Sequence, residues 1–128
     1  MPELPKRELG RTGLQVSMLG YGAMELRGAP RGRDVTSAQA ETSLHAVLDA
    51  EYYLASKCGC LVGAPPAPRG QSSPHVFTRD NILTGVEQSL ARMRTSYLDV
   101  LQFHISPSRQ TLEKDGAVET VLELKRAG

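Results

Sequence analysis

In the second half of the chain, the spacing of hydrophobic positions changes clearly from a helical pattern to a β pattern. Over Thr78–Met93 apolar side chains recur every three or four residues, and charged and amide side chains separate them. The apolar positions are Ile82, Val86, Leu90 and Met93. Residues 98–103, LDVLQF, then have the composition of a short β-strand that ends at His104. The pattern predicts an amphipathic helix, a tight turn and a buried strand, which together make half of a βα repeat.

The first part of the chain has a β pattern. Residues 7–16 place apolar side chains on both sides of a turn through Gly10–Gly13, which predicts a hairpin. The following stretch, Ser17–Met24, predicts a buried strand that ends in a Gly-x-Gly sequence. That sequence lacks the third glycine and the later acidic residue of a dinucleotide-binding fingerprint, so it does not predict a Rossmann fold.

The middle of the chain predicts a helix followed at once by a strand. Residues 29–35 are polar and suit an exposed loop, and Thr36 and Gln39 have the spacing of a capping box. The helix is predicted over Ser37–Ala50, with β pattern beginning at Glu51. Connections of this kind usually hold two to six residues and a helix-stopping glycine or asparagine. The abrupt change therefore indicates that a segment is missing at this junction.

Two loops and a last helix complete the prediction. Residues 61–77 contain four of the eight prolines and predict a long irregular loop, and residues 106–116 predict a polar loop. A helix is predicted over 118–124, with Lys125 and Arg126 at its C-terminal dipole. Strands that alternate with helices indicate an α/β class with a parallel sheet.

Composition limits the classes of function. The chain has 128 residues, which fits a single domain, and 15 basic against 14 acidic residues leave a net charge of +1. Without a basic field, nucleic acid is not an expected partner. No window resembles a signal peptide or a membrane span, so we expect no membrane contact and a cytoplasmic location.

The cysteines and two of the histidines give no strong signal for chemistry. Cys58 and Cys60 form a C-x-C sequence, and they cannot supply four zinc ligands by themselves. Buried structural thiols are the favoured interpretation, and metal or redox chemistry stays open as the alternative. His45, within the first helix, and His75, in the long loop, are predicted to be ordinary surface residues.

Three segments, in order, resemble the aldo-keto reductase family, a family of NADPH-dependent carbonyl reductases. The segment RELGRTGLQVSMLGYGAME is similar to the opening hairpin and first strand of the family. YYLASKCG resembles the third barrel strand with its lysine, and VEQSLARMRTSYLDVLQFH resembles the third helix and fourth strand with its histidine. The resemblance implies a partial (β/α)8 TIM barrel over residues 1–128, with an N-terminal hairpin followed by about three parallel strands with helices.

The resemblance also implies a site. In the family, hydride passes from the nicotinamide to a carbonyl carbon, and a tyrosine hydroxyl donates the proton. A lysine paired with an aspartate lowers the pKa of that tyrosine, and a histidine orients the carbonyl oxygen. Matched residue by residue, Lys57 and His104 take the catalytic lysine and histidine positions. Gly22, Ala23 and Met24 match a segment that lies against the nicotinamide, so NADPH and a small carbonyl substrate are the implied ligands.

The chain departs from the family at the junction after the first helix. The resemblance implies that the second strand–helix unit, which bears the family's aspartate and tyrosine, is absent, and that the later barrel strands are absent as well. The four tyrosines of the chain do not match the family's proton donor; they are Tyr21, Tyr52, Tyr53 and Tyr97. A reductase fragment with little or no activity is therefore expected.

Two other functions stay open at this stage. One is a non-catalytic binding or assembly module, in which open strand edges lead to self-association and low stability. The other is a reductase that keeps its activity by using water or another residue as the acid.

Overall fold

The structure is a computed structural model that describes residues 4–27, 34–49, 52–68 and 70–128. The chain divides into two compact units, Met1–Tyr52 and Tyr53–Gly128. None of the described helices is both long and apolar enough to cross a membrane. The predicted missing segment at Glu51 involves residues 50 and 51, which lie outside the described residues.

The first unit begins with the predicted hairpin. Strands β1 (Lys6–Glu8) and β2 (Gln15–Ser17) pair antiparallel, and the Leu9 N–H donates to the Leu14 carbonyl at 2.9 Å to close the turn. Gly13, at φ 78°, has the positive φ that this turn needs, and its N–H donates to Glu8 Oε1 at 3.0 Å. The hairpin prediction is confirmed.

The buried strand predicted over Ser17–Met24 is wrong. The strand ends at Ser17, and a 3₁₀ helix occupies Ala23–Arg27. Met18, Leu19 and Met24 are 61–70% exposed. An apolar run forms a buried strand only when another surface packs against it, and the run itself does not reveal whether that surface exists.

The first helix, α1, spans Ser37–Leu48. Its capping box is complete: Thr36 Oγ1 accepts from the Gln39 N–H at 3.2 Å, and the Thr36 N–H donates to Gln39 Oε1 at 2.9 Å. The sequence prediction of this helix and of its N-terminal cap is confirmed. No side chain of α1 is fully buried.

The second unit is built on two parallel strands. Strand β3 (Ala55–Cys58) pairs with β4 (Val100–Phe103), so that Lys57 lies opposite Gln102 and Cys58 opposite Phe103. Helix α2 (Arg79–Met93) connects them, as predicted, and ends at Arg94 in the left-handed conformation at φ 53°. Helices α3 (Arg109–Lys114) and α4 (Ala117–Ala127) follow. The second loop prediction is therefore wrong, since Ser108 accepts from the Thr111 N–H and caps a short helix within residues 106–116.

The core of the second unit lies on one face of this sheet. Its buried members are Cys58, Phe77, Ile82, Val86 and Ala117, and Leu90, Leu101, Phe103, Leu112 and Leu124 pack against them. Strand residues alternate between faces, so the core face carries Cys58 and Phe103, while Lys57 and Gln102 lie exposed on the other face. Helix packing thus uses one face of the sheet and leaves the polar face open to solvent.

Candidate functional site

The two predicted catalytic positions lie at the carboxyl ends of adjacent strands. Lys57 is the third residue of β3, and His104 directly follows β4. The register pairs Lys57 with Gln102, so strand spacing and rise place the Cα atoms of Lys57 and His104 about 8 Å apart. The His104 N–H donates to the Cys58 carbonyl at 2.9 Å, which extends the parallel ladder by one bond. The carboxyl ends of barrel strands are where enzymes of that fold build their sites.

The opposite end of the sheet is closed by a different set of bonds. Asp99 Oδ2 accepts from the Leu54 N–H at 2.7 Å, and the Asp99 N–H donates to the Leu54 carbonyl at 2.9 Å. Tyr53 precedes this end, and four residues of strand rise, about 13 Å, separate Leu54 from Cys58. Asp99 therefore acts as a structural group at the amino end and does not take the place of an aspartate beside Lys57.

The loop after β3 folds back along the strand end. Cys60 and His75 form an antiparallel β-bridge, in which the Leu61 N–H donates to the Pro74 carbonyl and the Val76 N–H donates to the Gly59 carbonyl. Gly59 has φ 102°, and a Cβ at this position would lie 2.3 Å from Phe77 Cε1. The sharp change of direction therefore requires glycine on two grounds, backbone conformation and space.

One amide in the first turn of α2 holds this loop in place. Asn81 Nδ2 donates to the carbonyls of Cys60 and Val76, and Asn81 Oδ1 accepts from the Val62 N–H, all at 2.8–3.0 Å. These bonds satisfy both polar ends of the side chain and three backbone groups of the loop. Cys60 and His75 are thereby held against the helix and the strand.

The result is a cluster of three side chains with nitrogen and sulfur donors. Cys60 Sγ lies 2.7 Å from His104 Nδ1 and 3.9 Å from His75 Nε2, and the two histidine nitrogens lie 3.4 Å apart. Cys60 and His75 are half-buried and His104 is exposed. The His75 ring also stacks at 12° to the Phe77 ring, whose own edge-to-face partner is Phe103. His75 is therefore a member of a cluster, and its prediction as an ordinary surface residue is wrong.

The two cysteines have different surroundings. Cys58 is 3% exposed in the core, where burial, and to a lesser degree the neighbouring Cys60 thiol, raises the pKa of the Cys58 thiol above its ordinary value. It is a structural thiol, as the favoured interpretation of the sequence held. Cys60 belongs to the cluster with the histidines, so one interpretation does not cover both residues.

The predicted cofactor contacts lie in the other unit. Gly22 is exposed, and Ala23 and Met24 begin the 3₁₀ helix of the first unit, whereas Lys57 and His104 belong to the second. A nicotinamide contact by Gly22, Ala23 and Met24 therefore stays a prediction from the family resemblance.

One comparison with known proteins found a relative. Over 75 residues the chain is 33% identical to a Bacillus subtilis (strain 168) protein named "Uncharacterized oxidoreductase YcsN". The match covers 59% of this chain and 24% of that protein, so the chain spans about a quarter of the relative it matches. No family model and no solved structure matches the chain. The similarity thus supports a distant relationship to an oxidoreductase.

Proposed function

We propose that the chain is an oxidoreductase of the aldo-keto reductase type, which uses NADPH to reduce a small carbonyl compound. The observation that carries the proposal is the placement of Lys57 and His104 at the carboxyl ends of the two parallel strands. The oxidoreductase similarity supports it from an independent direction.

The two faces of the β3–β4 sheet support the same proposal. In a (β/α)8 barrel, helices cover the outer face of the strands, and residues at the carboxyl ends of the strands contribute to the site. Here α2 and α4 contribute to the core on the face of Phe103, and the face of Lys57 and Gln102 is exposed. This division is the one expected for strands of a partial barrel.

In this proposal the carbonyl carbon receives a hydride and the carbonyl oxygen receives a proton, and the proton transfer is slow. When the carbonyl carbon accepts the hydride, the oxygen gains negative charge and needs a proton from a nearby acid. His104 would donate a hydrogen bond to the carbonyl oxygen, and the Lys57 ammonium would stabilise its developing charge. Only six residues separate α1 from β3. They include Asp49, Tyr52 and Tyr53, but in the family resemblance none of these matches the catalytic tyrosine and aspartate pair. The proton then comes from water or buffer, and the rate falls by ~10²–10⁴.

The test is NADPH oxidation by the purified chain with a reactive small aldehyde, measured with a metal chelator present. We expect slow turnover that is proportional to protein and decreases in Lys57→Met and His104→Gln. Lys114→Met, which removes an ammonium from α3, is the matched control and leaves the rate unchanged. A rate that is the same in all four proteins contradicts the proposal, and turnover in the ordinary enzyme range of about 1–10³ s⁻¹ contradicts the slow proton transfer.

A second candidate is a non-catalytic assembly module, favoured by the open sheet. Among the described residues, β3 and β4 pair only with each other, so each has an edge with unpaired backbone groups. Several large apolar side chains of the same unit are 39–50% exposed; they are Leu61, Met93, Tyr97, Ile105, Val118 and Leu122. Light scattering during size-exclusion chromatography tests this candidate. It predicts a defined oligomer, and a monomer with a sharp cooperative melt contradicts it.

A further inference from the structure

The cluster at the carboxyl end of the sheet has the composition of a metal site. Its donors come from three separate segments: Cys60 follows β3, His75 precedes α2, and His104 follows β4. We propose that Cys60 Sγ, His75 Nε2 and His104 Nδ1 bind one divalent transition-metal ion of the zinc class, with a fourth position for water or a ligand atom. This site goes beyond the proposed reductase function and shares only His104 with it.

The distances fit a common ion. With metal–nitrogen bonds of about 2.0–2.1 Å and a metal–sulfur bond of about 2.3 Å, tetrahedral geometry separates two nitrogen donors by about 3.3 Å and sulfur from nitrogen by about 3.6 Å. The two histidine nitrogens lie 3.4 Å apart, and the two sulfur–nitrogen distances are 2.7 and 3.9 Å. The nitrogen–nitrogen distance therefore matches as it stands, and a rotation of the Cys60 side chain that moves Sγ away from His104 Nδ1 and towards His75 Nε2 would bring the sulfur into place.

The orientation of the donors also favours an ion. His75 Nε2 and His104 Nδ1 face each other and the Cys60 thiol. Two imidazole N–H groups that point at each other repel, so at least one of these nitrogens must present a lone pair. A metal ion accepts lone pairs from both nitrogens and from the thiolate at once, whereas one shared proton satisfies two of the three atoms.

The ligand types indicate which ions are suitable. One thiolate and two imidazoles suit Zn²⁺ and Co²⁺, and hard ions such as Mg²⁺ and Ca²⁺ prefer oxygen donors. Three protein ligands with a fourth open position are typical of catalytic zinc sites, whereas structural sites have four protein ligands. Binding here releases the thiol proton and holds three segments of the second unit together, so it also stabilises the fold.

The surroundings restrict the movement of the ligands. Asn81 fixes the Cys60 carbonyl at 3.0 Å, the β-bridge fixes His75 opposite Cys60, and the His104 N–H is bonded to Cys58. Phe77 stacks on the His75 ring at a centroid distance of 6.4 Å. Ligand groups that are held in position before binding lose less entropy when the ion arrives.

Cobalt spectroscopy tests the proposal. The full chain is stripped with a chelator, kept reduced, and titrated with Co²⁺ without NADPH or aldehyde. We expect a thiolate-to-cobalt charge-transfer band and intense tetrahedral d–d bands that saturate at one equivalent and disappear when Zn²⁺ is added. Weak binding of several equivalents without a thiolate band overturns the proposal. Because the reductase assay contains chelator and this titration lacks cofactor, failure of one does not imply failure of the other.

Matched variants assign the ligands. Cys60→Ser abolishes the charge-transfer band, and His75→Gln weakens Co²⁺ binding by more than about 100-fold, beyond the effect of an outer-shell partner. The controls are Cys58→Ser, which changes the other thiol of the C-x-C sequence, and His45→Gln, which changes the exposed histidine of α1; both keep the band. A band that survives Cys60→Ser overturns the assignment. If Cys60→Ser does not fold, the wild-type spectrum and His75→Gln still decide the result.

Discussion

Helices α1 and α2 both have an apolar stripe, but only α2 buries it. In α2, Ile82 and Val86 are 0% and 7% exposed against the core of the second unit. In α1, Leu44 and Leu48 are 37% and 48% exposed, and none of the side chains described in the first unit is buried. An amphipathic pattern therefore predicts a helix, but burial needs a partner surface, which α2 has in β3 and α4. The candidate site lies in the unit that has this core.

The largest difference between the two units is expected in the loss of stability when a large apolar side chain is replaced by alanine. Ile82→Ala should reduce the free energy of unfolding by about 2–5 kcal/mol, because it leaves a cavity in the core. Leu44→Ala, the matched change in α1, should cost less than about 1 kcal/mol. Urea unfolding followed by circular dichroism compares them, and loss of the folded state in Ile82→Ala is the extreme form of the same result. Equal effects would show that the core is not where the structure places it.

A second comparison uses two glycines with positive φ. Gly59→Ala forces a Cβ against Phe77 in a strained backbone conformation, and we expect a loss of about 2–4 kcal/mol together with loss of Co²⁺ binding. Gly13→Ala meets no atom within 4 Å in the hairpin, so only the backbone strain of about 1–2 kcal/mol applies. Thermal melts of both variants check this order. A Gly59→Ala variant as stable as Gly13→Ala would contradict the tight turn at the site.

The third comparison concerns side chains that bond to the backbone. Asn81→Ala removes three hydrogen bonds to the loop of Cys60 and should cost about 2–3 kcal/mol. Gln39→Ala removes the Thr36 N–H to Gln39 Oε1 bond of the α1 capping box and should cost about 1 kcal/mol. Hydrogen exchange gives the more specific reading, since the Val62 amide should lose protection in Asn81→Ala alone. Unchanged exchange at Val62 would rule out the proposed role of Asn81.

The smallest expected effect is the difference in reactivity between the thiols of Cys58 and Cys60. Cys58 is in the core, and its raised pKa leaves less thiolate at a given pH, whereas Cys60 is half-buried at the sheet end. A thiol reagent should therefore modify Cys60 faster by about tenfold or more, and Zn²⁺ should slow the modification of Cys60 alone. Mass spectrometry of the labelled peptides measures both rates. Faster modification of Cys58 would reverse the assignment.

The sequence predicted the elements whose signals are local. The stripe of Ile82 and Val86, the capping box of Thr36 and the β pattern that ends at Phe103 each involve residues close in the chain, and the structure has each of them. The stretch from Ser17 to Met24 has an equally apolar pattern, but its burial depended on a partner that the pattern does not specify.

The site was only partly predictable for the same reason. Lys57 and His104 were assigned catalytic positions through the family resemblance, and that assignment stays a prediction. His75 was missed because the bridge to Cys60 closes a loop of irregular sequence, and no periodicity reports such a contact. The available signal was local: Pro74 and the apolar pair after His75 are typical of a short extended segment.

The most direct test of the site is a nuclear Overhauser measurement between aromatic rings. The chain has three histidines, two phenylalanines, four tyrosines and no tryptophan, so the ring signals are few. We expect a cross-peak between the rings of His75 and His104, whose centroids lie 5.2 Å apart. The Phe77–Phe103 pair, at 5.5 Å, is the internal control for a folded second unit. A spectrum with the phenylalanine cross-peak but without the His75–His104 cross-peak would contradict the assembled site.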